Sequence, residues 1–199
     1  MNGYEYWQID GHDLEYIDAD HQYIVDGICV PSITQILKIK FGNKYAGVSS
    51  ATLQRASEKG TEVHEAIERY CREGVESDLK ELRNFKFLQK QYGFTVLQNE
   101  VPVILSADEP ICAGRLDMTM MIGDSFIIGD IKRTSTLDKE YLAYQLNLYR
   151  IAYRQSYGIW ADALKGLHLR DDVRKFVDIP INEGMAWELV EKYLEDKDE

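Results

Sequence analysis

The segment Ala113–Lys132 limits the possible folds most strongly, because it alternates as two strands on either side of a Gly-Asp turn. If Gly123 and Asp124 form a two-residue hairpin turn, Ile122 faces Ser125 and the register of the whole hairpin is set. Both faces of the two strands are largely apolar, which is typical of strands covered on both sides. The segment therefore predicts the middle of a sheet that other layers cover.

Helical and strand-like periodicities succeed one another along the rest of the chain and outline one α/β unit. A short hairpin with its turn at Asp26-Gly27 comes first, and Ser32 can cap the helix that follows it. The other predicted helices lie at 57–71, 79–92, 137–155 and after Asn182, and the predicted strands at 94–105, 111–121, 125–132, 164–169 and 175–179. The order predicts an α/β fold with a central mixed sheet, helices on both faces and a small N-terminal hairpin.

The length of 199 residues favours a single domain, residues 1–199. Within it we expect an N-terminal hairpin and helix extension at 1–50 that ends in a loop at 41–50, a central α/β core at 57–180, and a C-terminal helix with an acidic tail at 182–199. The first residues lack the basic start and apolar run of a secretory signal, and no apolar stretch is long enough for a membrane span. These features predict a cytoplasmic protein with no membrane partner.

Net charge and cysteine content exclude several classes of function. The formal net charge is -11, which argues against nonspecific binding to nucleic acid through bulk positive charge. Three cysteines, Cys29, Cys71 and Cys112, form no C-x-x-C pair. A disulfide framework, a zinc cage and an iron-sulfur cluster are therefore not expected, and the cysteines are predicted to be reduced core residues.

The predicted hairpin places two aspartates opposite each other. In its register Asp117 faces Asp130 and Arg115 faces Lys132, with side chains of opposed residues about 5 Å apart at Cβ. Two carboxylates at that distance repel each other, and a divalent cation such as Mg²⁺ or Mn²⁺ would remove the repulsion. The alternative is that each aspartate pairs with Arg115 or Lys132 at a strand end, as an ordinary ion pair.

Asp117 followed by Asp130-Ile131-Lys132 resembles the signature of the PD-(D/E)xK nuclease superfamily. Gly60-Thr61-Glu62-Val63-His64 is similar to the G-x-x-x-H motif of its RecB-type exonuclease branch, and Gln145-Leu146-Asn147-Leu148-Tyr149 is similar to the Q-x-x-x-Y motif of that branch. The resemblance implies a restriction-endonuclease-like core in a stand-alone, phage-type nuclease module. Relatives with an iron-sulfur cluster use four cysteines, so no such cluster is implied here.

The resemblance also implies a role for each matching residue. The implied metal ligands are His64, Glu100, Asp117, Asp130 and the carbonyl of Ile131; the implied catalytic residues are Asp117, Asp130, Lys132, Gln145 and Tyr149, with Gln145 and Tyr149 contacting the substrate or the lysine. Glu100 is either a ligand or a residue that orients water. Arg115 and Arg133, together with Lys139, Arg150 and Arg154, are candidate phosphate contacts. Taken singly, the histidine, the glutamine and the tyrosine also fit core packing, and the basic residues a solvated face.

The implied activity is Mg²⁺- or Mn²⁺-dependent hydrolysis of DNA phosphodiester bonds by an exonuclease of phage or bacterial replication, recombination or repair. The acidic net charge requires a locally basic groove, a DNA-loading protein partner, or a short or single-stranded substrate. Two other hypotheses remain at this point. One is a noncatalytic DNA-binding module on the same scaffold, and the other is a metal-dependent phosphodiesterase that acts on small phosphate esters.

Overall fold

Two β-sheets organise the part of the chain that the computed structural model describes, residues 3–42 and 47–198. The larger sheet has five strands in the order β5-β6-β7-β8-β9. Their bounds are Thr95–Ser106 for β5, Pro110–Ile122 for β6, Ser125–Lys132 for β7, Ala163–Arg170 for β8 and Val173–Ile179 for β9. Strands β7 and β8 run parallel and the other neighbours antiparallel, so the sheet is mixed as predicted.

Five helices cover the two faces of this sheet. They are α1 (Ile33–Phe41), α2 (Ser50–Glu73), α3 (Lys80–Tyr92), α4 (Lys139–Tyr157) and α5 (Glu183–Asp198). Side chains from α1, α4 and α5 form one buried cluster with the sheet, and side chains from α2 and α3 form another on the opposite face. This arrangement confirms the predicted α/β class, with helices on both sides of the sheet.

The N-terminal sheet is larger than the predicted hairpin. It has four antiparallel strands, β1 (Tyr4–Ile9), β2 (His12–Ile17), β3 (Gln22–Val25) and β4 (Ile28–Val30), with a 3-10 turn at Asp18–Asp20. The predicted hairpin is β3 and β4. Strands β1 and β2 escaped prediction because their inward face mixes charged, aromatic and aliphatic side chains. The sheet packs on β5 and β6 through Ile104 and Ala113.

Helix starts follow the capping residues. The Ser32 side chain accepts from the Gln35 backbone N–H and Asn182 Oδ1 accepts from Met185, as predicted. Helix α2 begins at Ser50, seven positions before the predicted start, because Ser49 caps it. The predicted loop at 41–50 includes residues 43–46, which lie outside the described residues, as do Met1, Asn2 and Glu199. Helix α5 runs to Asp198 through the predicted acidic tail.

The hairpin of β6 and β7 has the predicted register up to a point. Ile122 pairs with Ser125 and the ladder continues to Met118 and Gly129, one pair short of the two aspartates. The predicted opposition of Arg115 and Lys132 lies beyond the end of this ladder. Residues two apart in a regular strand share a face, yet Leu116 packs with α1 and α4 whereas Met118 packs with α2 and α3. The face of β6 therefore changes at Asp117.

The structure also shows how far each cysteine is buried and how long and apolar the helices are. Cys112 is buried as predicted, Cys71 is partly buried, and Cys29 is exposed, which corrects its assignment to the core. In residues 3–42 and 47–198, none of the helices has both the length and the apolar character that a bilayer crossing needs.

Candidate functional site

Three potential metal ligands from three elements meet near Asp117, where the side chains of β6 switch from one face of the sheet to the other. His64 comes from α2, Glu100 from β5 and Asp117 from β6, and one ligand atom of each lies within 4.8 Å of the other two. His64 Nδ1 is 3.8 Å from Glu100 Oε1 and 3.7 Å from Asp117 Oδ1. The structure thus brings together three of the five predicted metal ligands.

The orientation of His64 is set by its second ring nitrogen. Nε2 lies 3.1 Å from the carbonyl oxygen of Ile131. Because a carbonyl only accepts, Nε2 carries a proton there, and Nδ1 is left to face the two carboxylates. The Ile131 carbonyl thus holds His64 in place, and its predicted role as a metal ligand stays a prediction. Such an outer hydrogen bond is the usual way in which a metal-binding histidine is oriented.

Glu100 is held in an unusual backbone conformation. Its φ is 50°, in the left-handed region that glutamate seldom adopts. The ladder between β5 and β6 includes Val101 with Leu116 and Asn99 with Met118, and the pair between them, Glu100 with Asp117, is absent from it. Where this pair is missing, the regular alternation of side chains between the two faces of the sheet is interrupted. The Glu100 side chain turns toward His64 at this point. Strain of this kind is concentrated at functional sites.

The two aspartates have different environments. Asp117 Oδ2 accepts a hydrogen bond of 2.6 Å from the Ile131 backbone N–H, which leaves Oδ1 for the cluster. Asp130 is only 1% exposed and pairs with Lys132, whose ammonium donates to Oδ1 at 2.8 Å and lies 2.6 Å from Oδ2. Asp130 therefore lies beside the three-residue cluster as the partner of the lysine, and its predicted role as a metal ligand stays a prediction.

The pKa values reflect this concentration of charge. Burial alone would lower the pKa of His64, but the negative charges of Asp117 and Glu100 raise it to about 9. Burial raises the pKa of Asp130 to about 6 against the attraction of Lys132, and the Asp117 carboxylate adds to the increase. Burial alone would also lower the pKa of Lys132, yet Asp130 and Asp117 raise it. The lysine is therefore a permanent cation at neutral pH.

The donor set of the cluster fits a divalent cation. Two carboxylates supply the hard oxygens that suit Mg²⁺ and Mn²⁺, and one imidazole nitrogen extends the range toward softer first-row metals. The carboxylates of Glu100 and Asp117 give this partly buried cluster a negative charge, which favours a bound cation. A metal ion and the proton on His64 would compete for these carboxylates. His64, Glu100 and Asp117 would hold the ion.

Gln145 and Tyr149 lie on α4, and both are 5% exposed. The Tyr149 hydroxyl donates to the carbonyl of Arg115 at 2.8 Å, so it anchors β6 through the backbone. That hydroxyl contact differs from the predicted one with the lysine or the substrate. Gln145 Oε1 is buried without a hydrogen-bond partner among the described residues. The predicted substrate contacts of both residues stay predictions.

The predicted phosphate contacts are largely engaged within the protein. Arg115 Nη1 donates to Glu5 at 2.5 Å, and Arg133 Nε donates to buried Glu81 at 2.7 Å. Arg150 pairs with Glu183 on α5. Contact with substrate stays a prediction for these arginines and for Lys139 and Arg154. Sequence reasoning missed Glu5 and Glu81, because an acid in a strand or a helix carries no signal of a distant partner.

A groove of about 1190 Å³ runs along the cluster between the N-terminal sheet, α2 and β5. Its lining includes His64, Glu100 and Arg115. Acidic residues outnumber arginines along it, with five of the former (Glu5, Asp18, Glu65, Glu68 and Glu100) and two of the latter (Arg72 and Arg115). The described residues that line the groove therefore form no broad positive surface of the kind that holds a nucleic-acid backbone.

Comparisons with known proteins add little to this geometry. No family model matches the chain, and no curated protein matches it. Among solved structures, the crystal structure of SSO0001 is similar to it, with 15% sequence identity and a TM-score of 0.47. The match covers 83% of this chain and 75% of that chain.

Proposed function

We propose that the chain is a metal-dependent deoxyribonuclease of the PD-(D/E)xK type, which hydrolyses DNA phosphodiester bonds as an exonuclease in phage or bacterial replication, recombination or repair. The observation that carries the proposal is the cluster of His64, Glu100 and Asp117 beside the buried pair of Asp130 and Lys132. Two aspartates and a lysine on the neighbouring strands β6 and β7 would serve an ion and a phosphate together.

Mg²⁺ or Mn²⁺ is the cofactor in this proposal, held by His64, Glu100 and Asp117. When bound, such an ion supplies positive charge to a phosphoryl oxygen and makes an attacking water more acidic. The protein side chains prepare the place for it. Asp117 is fixed by the Ile131 amide and His64 by the Ile131 carbonyl, so a single peptide segment of β7 orients two of the three ligands.

Lys132 has an electrostatic role in the proposed reaction. Its ammonium remains protonated because Asp130 and Asp117 raise its pKa, so it is unsuited to act as a general base near neutral pH. A fixed positive charge instead stabilises the negative charge that builds on the phosphorus centre in the transition state. Asp130 holds the ammonium in place, which makes the pair a preorganised unit.

The acid-rich groove bears on how DNA would reach the site. With two arginines against five acids, the groove needs help to bind a polyanion, and we propose a DNA-loading partner protein in the cytoplasm. The same observation favours a second candidate function. A small phosphate ester carries little charge and needs no extended basic surface, so a metal-dependent phosphodiesterase acting on small esters also fits the groove.

The test is a cleavage assay with purified protein, Mg²⁺ or Mn²⁺, and end-labelled linear and circular DNA in single- and double-stranded form. We expect degradation of linear DNA, and its complete loss with EDTA. Asp130→Asn and Lys132→Ala should abolish cleavage with the fold intact by circular dichroism. Glu65→Gln in the groove and Lys175→Ala on β9 are the matched controls, and both should cleave normally.

The same assay separates the competing functions. Cleavage of a model phosphodiester without cleavage of any DNA would favour the small-ester enzyme. Tight binding of DNA with no turnover under every metal condition would favour a binding module. Equal activity of Lys132→Ala and wild type would contradict the proposed role of the lysine.

A further inference from the structure

Arg115 connects the cluster of His64, Glu100 and Asp117 to the N-terminal sheet. Its Nε lies 3.7 Å from Glu100 Oε2, while the other carboxylate oxygen of Glu100 faces His64. Its Nη1 donates at 2.5 Å to Glu5 on β1, and its guanidinium lies 4.7 Å from the centroid of the Tyr16 ring on β2. The guanidinium therefore lies between a carboxylate of the cluster and a carboxylate outside it.

The contacts of the guanidinium with the two carboxylates differ in strength. The contact with Glu5 has the short distance of a charge-assisted hydrogen bond, whereas the separation from Glu100 exceeds hydrogen-bond distance. Glu5 therefore takes the strong interaction, and Glu100 experiences only the charge of Arg115 at longer range. The Arg115 backbone is fixed independently, because its carbonyl accepts from Tyr149.

We propose that Glu5 is a positioning residue of the cation site, which acts through Arg115 to keep Glu100 available as a ligand. The inference rests on the proposed function, because it requires a cation at His64, Glu100 and Asp117. Without Glu5, the guanidinium loses its strongest partner and can close on Glu100 Oε2, which neutralises the carboxylate charge that a cation at Oε1 needs. The N-terminal sheet then belongs to the site, since it supplies the group that restrains the arginine.

A purely electrostatic effect of Glu5 is the alternative. Any carboxylate lining the groove attracts a cation, whether or not it touches Arg115. Glu65 provides the comparison, because it lines the same groove, follows His64 directly on α2 and is exposed. Glu65→Gln and Glu5→Gln each remove one negative charge from the groove.

Calorimetric titration of the full chain with Mn²⁺ alone, without nucleic acid, tests the proposal. Glu5→Gln should weaken Mn²⁺ binding about tenfold, the range found for groups that orient metal ligands. Glu65→Gln should weaken it about twofold or less, because an exposed charge is screened by salt. Glu5→Asp keeps the charge but shortens the reach to Arg115, so it too should bind Mn²⁺ more weakly than wild type.

A double substitution isolates the route through Arg115. In an Arg115→Gln background, Glu5→Gln should change the Mn²⁺ affinity no more than Glu65→Gln does, because the group that Glu5 restrains is gone. Equal effects of Glu5→Gln and Glu65→Gln, a full effect of Glu5→Gln without Arg115, or normal binding by Glu5→Asp would each overturn the inference. Absence of Mn²⁺ binding by the wild type would overturn the proposed cation site itself.

Discussion

Replacement of Lys132 by methionine should destabilise the fold through Asp130. The Asp130 side chain is 2% exposed, and the Lys132 ammonium contacts its carboxylate at 2.8 and 2.6 Å. Removal of one partner of a buried ion pair costs about 3–5 kcal/mol, because the other charge stays buried without compensation. The Lys132 side chain is 21% exposed, so water can enter the space it leaves. We therefore expect a loss of about 3 kcal/mol in the free energy of unfolding near neutral pH.

The size of this loss should depend on pH. The pKa of Asp130 is raised on folding from 3.8 to about 6, and Lys132 acts to lower it, so the variant should have a higher value still. A carboxyl group with a raised folded pKa favours folding when it is protonated, and the cost of its ionised form disappears as the pH falls below that value. The stability deficit of Lys132→Met should therefore be large at about pH 7.5 and small at about pH 5.

Urea unfolding followed by circular dichroism, in buffer with EDTA, measures the effect at both pH values. Lys165→Met is the matched control, because its partner Asp178 is 86% exposed, and we expect a loss below about 1 kcal/mol. Adding Asp130→Asn to Lys132→Met should restore stability to the wild-type value or above it, since no buried charge is left. A deficit that is equal at the two pH values, or a double variant as unstable as the single one, would refute the reasoning.

Three further substitutions test the packing of the sheet and its helices. Gly166→Ala should cost about 1–3 kcal/mol in thermal or urea unfolding, because its Cβ would lie 2.5 Å from Cδ2 of the buried Leu142 side chain. Gly60→Ala adds a Cβ that, apart from the adjacent backbone of α2, has no atom of the described residues within 4 Å, so it should stabilise the protein by about 0.5–1 kcal/mol through helix propensity. Glu81→Gln should cost about 2–4 kcal/mol at neutral pH, because Arg133 loses a buried partner. Although burial acts to raise the pKa of Glu81, the Arg133 contact lowers it below 4.5, so this stability is present above that pH and disappears in acid.

Local patterns in the chain were sufficient to predict most of the secondary structure. Ser32 and Asn182 have the side chains that cap helices, and the Gly-Asp turn set the pairing of β6 with β7 up to Met118 and Gly129. These features depend on neighbours in sequence and on the alternation of apolar residues, which short-range sterics translate directly into structure. His64, Glu100 and Asp117 were named as metal ligands through a resemblance to a nuclease family, and that role stays a prediction.

The partners of the charged side chains, by contrast, came from the packing of distant elements. Arg115 and Glu5 are 110 positions apart, and nothing in either segment marks them as a pair. A long charged side chain has many possible partners, and the arrangement of the sheets and helices selects among them. The left-handed backbone of Glu100 is likewise absent from any pattern, because glutamate has no preference for it and only the surrounding strands impose it. The packing of these distant strands and helices also makes the side chains of β6 switch faces at Asp117. It brings His64, Glu100 and Asp117 together.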